Sequence, residues 1–152
     1  MNLREARIDG SKAVSYRFVW KPPHAVATFE IQSPAGPIEY KVFIQWDEGL
    51  VQLHFTATDD DHTEGTWEHL NIGVRGAIQV FHTVWAIMLQ YFDETEYPIE
   101  ELNFTASVFE PSRVRFYTTL AYQVADIFEV DPDIMELSRD VAFTIPVAYE
   151  PL

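Results

Sequence analysis

The chain has 152 residues, 47% of them hydrophobic and 14% aromatic, which is enough apolar side chain for one domain with its own core. It contains no cysteine, so disulfide frameworks, thiolate chemistry and cysteine-bound zinc are excluded. Ten basic residues against 24 acidic ones give a formal charge of −14, which argues against direct nucleic-acid binding and against anionic membrane surfaces.

Residues 1–7 (MNLREAR) hold no apolar signal core, and no stretch is long enough to span a bilayer, so the expected compartment is the cytoplasm. Residues 12–20 (KAVSYRFVW) are rich in β-branched and aromatic side chains and end at Pro22-Pro23, the pattern of a strand. Residues 24–33 read as a second strand, and Pro34-Ala35-Gly36-Pro37 reads as a turn. In residues 38–47, Tyr40, Val42 and Ile44 alternate with Lys41, Phe43 and Gln45. Glu48-Gly49 turns the chain into residues 50–58, where Val51, Leu53 and Phe55 alternate with Gln52, His54 and Thr56. Four strands at such short spacing predict an antiparallel meander.

Residues 59–76 are polar, acidic and glycine-bearing, and read as a loop. Asp59, Asp60, Asp61, His62, Glu64, Glu68 and His69 supply oxygen and imidazole donors, but without a calcium-loop or His-x-x-x-His spacing, so no metal is expected there. Residues 77–92 then run without a breaker. Ile78, Phe81, Trp85, Met88 and Phe92 recur at helical spacing, and Val80, Val84, Ile87 and Tyr91 widen the stripe to most of the circumference. Such a helix is central and covered on more than one side. A strand follows at 99–108, and Glu110-Pro111-Ser112 opens a second helix through Phe128, with proline suited to the first turn. Its apolar face comprises Val114, Tyr117, Leu120, Ala121, Val124 and Phe128. A strand at 141–147, with a shorter one at 134–137, completes the chain.

The expected fold is therefore a single α+β domain over residues 1–152, with a mixed, largely antiparallel sheet, a central buried helix and a second helix. Arg113 and Arg115 are candidate anion ligands, with Glu110 and Asp126 near enough to make surface ion pairs instead. Trp20, Trp46 and Trp67, near element ends, are candidates for an interface. Thr105 and Ser107 end a strand where a ligand could sit, and His82 reads as a structural histidine.

The element order, with Arg75-Gly76 leading into the central helix, resembles the GCN5-related N-acetyltransferase (acyl-CoA N-acyltransferase) family. The resemblance covers roughly the last two thirds of the chain. It implies that the backbone of Gly73, Val74, Arg75, Gly76 and Ala77 holds the acetyl-CoA pyrophosphate at a helix N-terminus. It also implies that Tyr117, in Phe116-Tyr117, is the general acid for the leaving thiolate. The run from Phe104-Thr105-Ala106-Ser107 through Ser112-Arg113 to Tyr117 further resembles small bacteriophage proteins of this outline. The loop at 71–77 (NIGVRGA) departs from the family's glycine spacing and follows a row of acids. Three functional readings result. The first is a phage-type interaction or virion-associated protein on an acetyltransferase-like scaffold, without catalysis or cofactor, binding a host or viral protein. The second is an active acetyl-CoA-dependent N-acetyltransferase. The third is an acidic nucleic-acid mimic that inhibits a host protein.

Overall fold

A computed structural model of the chain describes residues 12–34, 36–58 and 73–151. The chain is α+β, and the seven strands among the described residues form one open sheet in the order β1-β2-β3-β4-β5-β7-β6. The strands are β1 (Tyr16–Lys21), β2 (His24–Ser33), β3 (Gly36–Asp47), β4 (Leu50–Thr58), β5 (Glu101–Ser107), β6 (Asp133–Glu136) and β7 (Asp140–Ile145). Helix α1 (Gly73–Glu94) lies between β4 and β5, and α2 (Pro111–Phe128) lies between β5 and β6. All neighbours pair antiparallel except β4 and β5, which are parallel.

The first four strands are the predicted meander, and alternation explains which face they bury. Ala25, Ala27, Phe29 and Ile31 of β2 stand beside Tyr40, Val42 and Ile44 of β3 and Val51, Leu53 and Phe55 of β4, all buried. The same face continues into Leu102, Phe104 and Ala106 of β5 and Val141, Phe143 and Ile145 of β7. Both helices contribute to this one core. α1 contacts β1 and β2, α2 contacts β5 and β7, and the rings of Phe81 and Phe116 join them at 5.2 Å. The opposite face carries Thr28, Lys41, Gln45, Gln52, His54 and Thr105, which are exposed or half-buried, and no described helix covers it.

A parallel β4–β5 pair needs a crossover, and α1 supplies it. Its 22 residues extend about 33 Å, enough to return the chain along the length of the sheet. From His82 to Phe92 nearly every side chain is buried, which matches the wide apolar stripe in the sequence. The sheet covers one side, and Phe116, Phe128 and Tyr149 reach others through ring contacts to Phe81 and Phe92. The helix starts earlier than the periodicity predicts, because its first turn holds Gly73 and Gly76, residues that read as loop. The fifth strand is shorter than predicted: Ile99 makes only an isolated bridge to Tyr149. No helix among the described residues is long and apolar enough to cross a membrane.

The β3–β4 connection is a two-residue loop in which Glu48 and Gly49 both have positive φ, 48° and 91°, the hand that suits a tight hairpin. The Gly49 carbonyl also accepts hydrogen bonds from Glu100 N at 2.7 Å and Glu101 N at 3.2 Å, so this turn fixes where β5 begins. A Cβ on Gly49 would lie 3.1 Å from Glu100 Cγ. Gly49→Ala should therefore destabilise by about 1–2 kcal/mol from backbone strain alone. Trp85→Ala, which empties a site 1% exposed, should cost about 3–5 kcal/mol. Chemical denaturation of the two variants checks both, with the larger loss expected in the helix.

Candidate functional site at the junction of β4 and β5

β4 and β5 pair only through Leu50↔Glu101, Val51↔Leu102 and Gln52↔Asn103. Beyond these pairs β4 runs on to Thr58 and β5 to Ser107 with no ladder between them. On the open face a cleft of about 360 Å³ lies over this junction. Phe43 and Gln45 of β3, Gln52 and His54 of β4, and Asn103 and Thr105 of β5 line it, with no charged side chain among its lining residues. Alternation in the sequence marks these positions as the outer face. That they converge depends on the β4–β5 neighbourhood, which pattern reading does not reveal.

Tyr117 occupies the other side of the same junction. Its ring lies 5.4 Å from that of Phe55 on β4, 4.7 Å from Phe104 on β5 and 5.9 Å from Phe143 on β7. The residue is 0% exposed. Burial pushes its hydroxyl pKa up to about 12, against smaller lowering effects of the Arg113 charge and a backbone contact at Phe55. By geometric criteria the hydroxyl makes no hydrogen bond to any described residue. Tyr117 is thus a packed core residue under the junction.

The predicted pyrophosphate ligands lie on α1. Gly73, Val74, Arg75 and Gly76 form its first turn, where the sequence reads as loop, and Ala77 follows in the helix. All are exposed except Gly76, and the first turn contains no acidic residue. A helix start of this kind presents unpaired N–H groups and the positive end of the dipole. α1 returns from the end of β4 and α2 starts from the end of β5, so both helices begin at the end of the sheet where the ladder is open.

Arg113 differs most from its expected place. It does not form a surface ion pair but is 5% exposed, with its Cζ 5.5 Å from the centre of the Phe55 ring. Its one ion-pair partner among the described residues is Glu110, whose Oε2 is 3.7 Å from Nε. The signal was present in the spacing: Arg113, Tyr117, Leu120 and Val124 fall on one helical stripe, all buried. Arg115 is exposed and donates to Ser112 Oγ at 3.1 Å.

The remaining candidates divide. Thr105 lines the cleft, whereas Ser107 Oγ accepts from Phe109 N at 3.2 Å and shapes the turn after β5. His82 is buried in α1. Trp20 and Trp46 are half-buried and engaged within the chain. Trp20 stacks on Tyr91 and donates to Glu94, and Trp46 donates to the Pro98 carbonyl at 2.8 Å. Both indoles are thus tied into the fold, with part of each side chain left at the surface. Trp67 and the set from Asp59 to His69 lie outside the described residues. Among the described residues no group of three or more His, Asp or Glu side chains is placed to hold a metal ion.

No known protein family, curated protein or solved structure matches this chain. Its site is therefore read from geometry alone.

Three buried tyrosines make stability depend on alkaline pH. Burial raises Tyr117 and Tyr91 each to about 12 and Tyr40 further, each above the ordinary value of 10.0. Below pH 10 neither folded nor unfolded chain ionises these phenols, so their contribution is complete. Between pH 10 and 12 the unfolded chain loses protons that the folded chain keeps, and stability falls by about 1.4 kcal/mol per pH unit for each group. Denaturation midpoints across this range should drop steeply in the wild type. The slope should be shallower by one proton in Tyr117→Phe, and equal slopes would place the phenol of Tyr117 in contact with water.

Proposed function

We propose that the chain is a protein-binding domain on an acyl-CoA N-acyltransferase-like scaffold, without acyl transfer of its own. The scaffold reading draws support from the crossover: an antiparallel meander, a returning helix, and a parallel fifth strand that leaves the fourth after three pairs. One observation carries the absence of transfer, the sealing of Tyr117. A general acid must meet the leaving group to give it a proton. Tyr117 is 0% exposed, and its ring packs against both strands between which a thioester would have to lie.

Protein binding draws support from the far edge of the sheet. All four residues of β6 are exposed, and Met135, Leu137 and Phe109, the last 76% exposed, put large apolar side chains on the surface around it. Val108 N donates to the Arg139 carbonyl, which brings the turn bearing Phe109 beside the β6–β7 turn. On this reading the partner is a host or virion protein, as the resemblance to bacteriophage proteins implies.

A second reading, an acetyl-CoA-dependent N-acetyltransferase, is favoured by the exposed, acid-free first turn of α1 with Arg75 upon it. Calorimetry with acetyl-CoA, paired with an assay for free thiol over a panel of amines, separates the two. The expected result is no binding at hundreds of micromolar and no thiol release in wild type or in Tyr117→Phe. Micromolar binding that weakens in Arg75→Glu, with thiol release lost in Tyr117→Phe, would replace the binding-domain reading by the enzyme.

A further inference from the structure

The guanidinium of Arg113 is a buried cation whose two-donor edge has no hydrogen-bond acceptor among the described residues. Its Nε and Nη2 are both buried, and no described residue accepts a hydrogen bond from either. These two donors point along the same side of the guanidinium plane, the side that takes two oxygens of one carboxylate or phosphate in parallel. Glu110 does not fill it. Its Oε2 is 3.7 Å from Nε, too far for a hydrogen bond, and is itself buried without a donor. A buried charge left this way costs more than almost any other polar defect, and a bound ion is one of the few ways to offset it.

The surroundings favour a negative group. Arg113 is the third residue of α2, an 18-residue helix whose N-cap residue is Glu110, with no side-chain cap hydrogen bond and no acidic residue within the first turn. The positive end of the helix dipole therefore adds to the guanidinium charge. The Phe55 ring backs one face of the guanidinium and holds it in place. Tyr40 and Tyr117 lie within the field of the same cation, which lowers the pKa of both phenols against their burial.

We propose that the Nε–Nη2 edge of Arg113, at the N-terminus of α2, is a binding site for an oxyanion, either a carboxylate or a phosphate. Glu110 stands at its entrance as a weak internal competitor, about one fifth exposed and close enough to be displaced. The ligand lies two-pronged on the guanidinium, and Glu110 swings towards solvent as it enters. Arg113 does not line the open-face cleft, and the site does not depend on whether the chain transfers acyl groups.

The test titrates inorganic phosphate and, separately, acetate into the full chain at ionic strength held constant with sodium chloride. Melting temperature and calorimetry are the readouts. Wild type should show a saturable rise with at least one of the two anions and none with chloride. The tighter anion tells whether the natural ligand presents a phosphoryl group or a carboxylate. Glu110→Gln removes the competitor and should bind that anion roughly 3- to 10-fold more tightly, while Arg113→Lys, which keeps the charge but loses the fork, should lose at least about tenfold. Should Arg113→Lys fail to fold, the Glu110→Gln comparison decides alone. If Glu110→Gln is destabilised and gains no anion affinity, Glu110 is the structural partner of Arg113 and the proposal fails. It fails equally if neither anion shifts wild type or Glu110→Gln beyond the chloride control.

Discussion

Three residue pairs between β4 and β5 join the two halves of the sheet, and the rest of the structure is organised around that short seam. On one side lies the β1–β4 meander, and on the other the β5-β7-β6 unit, each held by a longer antiparallel ladder. A seam so short cannot keep two sheet halves in one layer by hydrogen bonding alone. The additional hold comes from rings beneath it. Phe55 on β4 meets Phe116 at 4.8 Å and Tyr117 at 5.4 Å, and Phe104 on β5 meets Tyr117 at 4.7 Å and Phe143 at 5.3 Å. Each such pair contributes about 0.5–1.5 kcal/mol beyond its buried area. Tyr117 touches both strands at once, which explains an aromatic ring at this position.

The lower end of the seam is held by backbone. Glu100 and Glu101 donate to the Gly49 carbonyl, Ile99 and Tyr149 exchange hydrogen bonds, and Ala148 N donates to the Glu100 carbonyl. The Tyr149 ring packs on Phe92 and Phe128, so the C-terminal segment closes the core between the ends of both helices. The β4–β5 gap is therefore fastened at one end and open at the other. The open end is also where α1 and α2 begin; for α1 the parallel crossover requires it, and α2 follows directly from the end of β5.

What was legible in the sequence follows from the range of the forces involved. β2, β3 and β4 emerge from alternation and punctuation, and β4 starts and stops where its apolar period does. α1 was legible because its stripe is wide, and wide because the sheet, α2 and the C-terminal segment all cover it. The start of α1 was not, since glycine weakens a helix interior yet is tolerated in a first turn whose N–H groups have no intrahelical partner anyway. The parallel neighbour of β4 left no local trace, because its partner lies some fifty positions away; only the resemblance in element order put the strands at 50–58 and 99–108 side by side. The convergence of Gln52, His54 and Asn103 on one cleft depends on that neighbourhood and was hidden with it, as was the burial of Tyr117 beneath the junction. Arg113 was misread for another reason. Its charge suggested the surface, while its position on the stripe with Tyr117, Leu120 and Val124 pointed inward.

That conflict between residue type and position bears on how the molecule treats charge. With a net charge of −14, its long-range field repels anions and attracts cations. Beyond a Debye length of about 10 Å at 0.1 M salt that field is largely screened, whereas a buried guanidinium acts at hydrogen-bonding distance and is screened far less. Attraction at a distance therefore cannot recruit a ligand to Arg113; recognition there has to come from the match of two oxygens to two fixed donors. Phe55 and the fixed start of α2 hold those donors in place, and the acid nearest them is set slightly too far away to use them well. A basic partner would meet the acidic exterior instead, so the two kinds of contact are separated by range as well as by position.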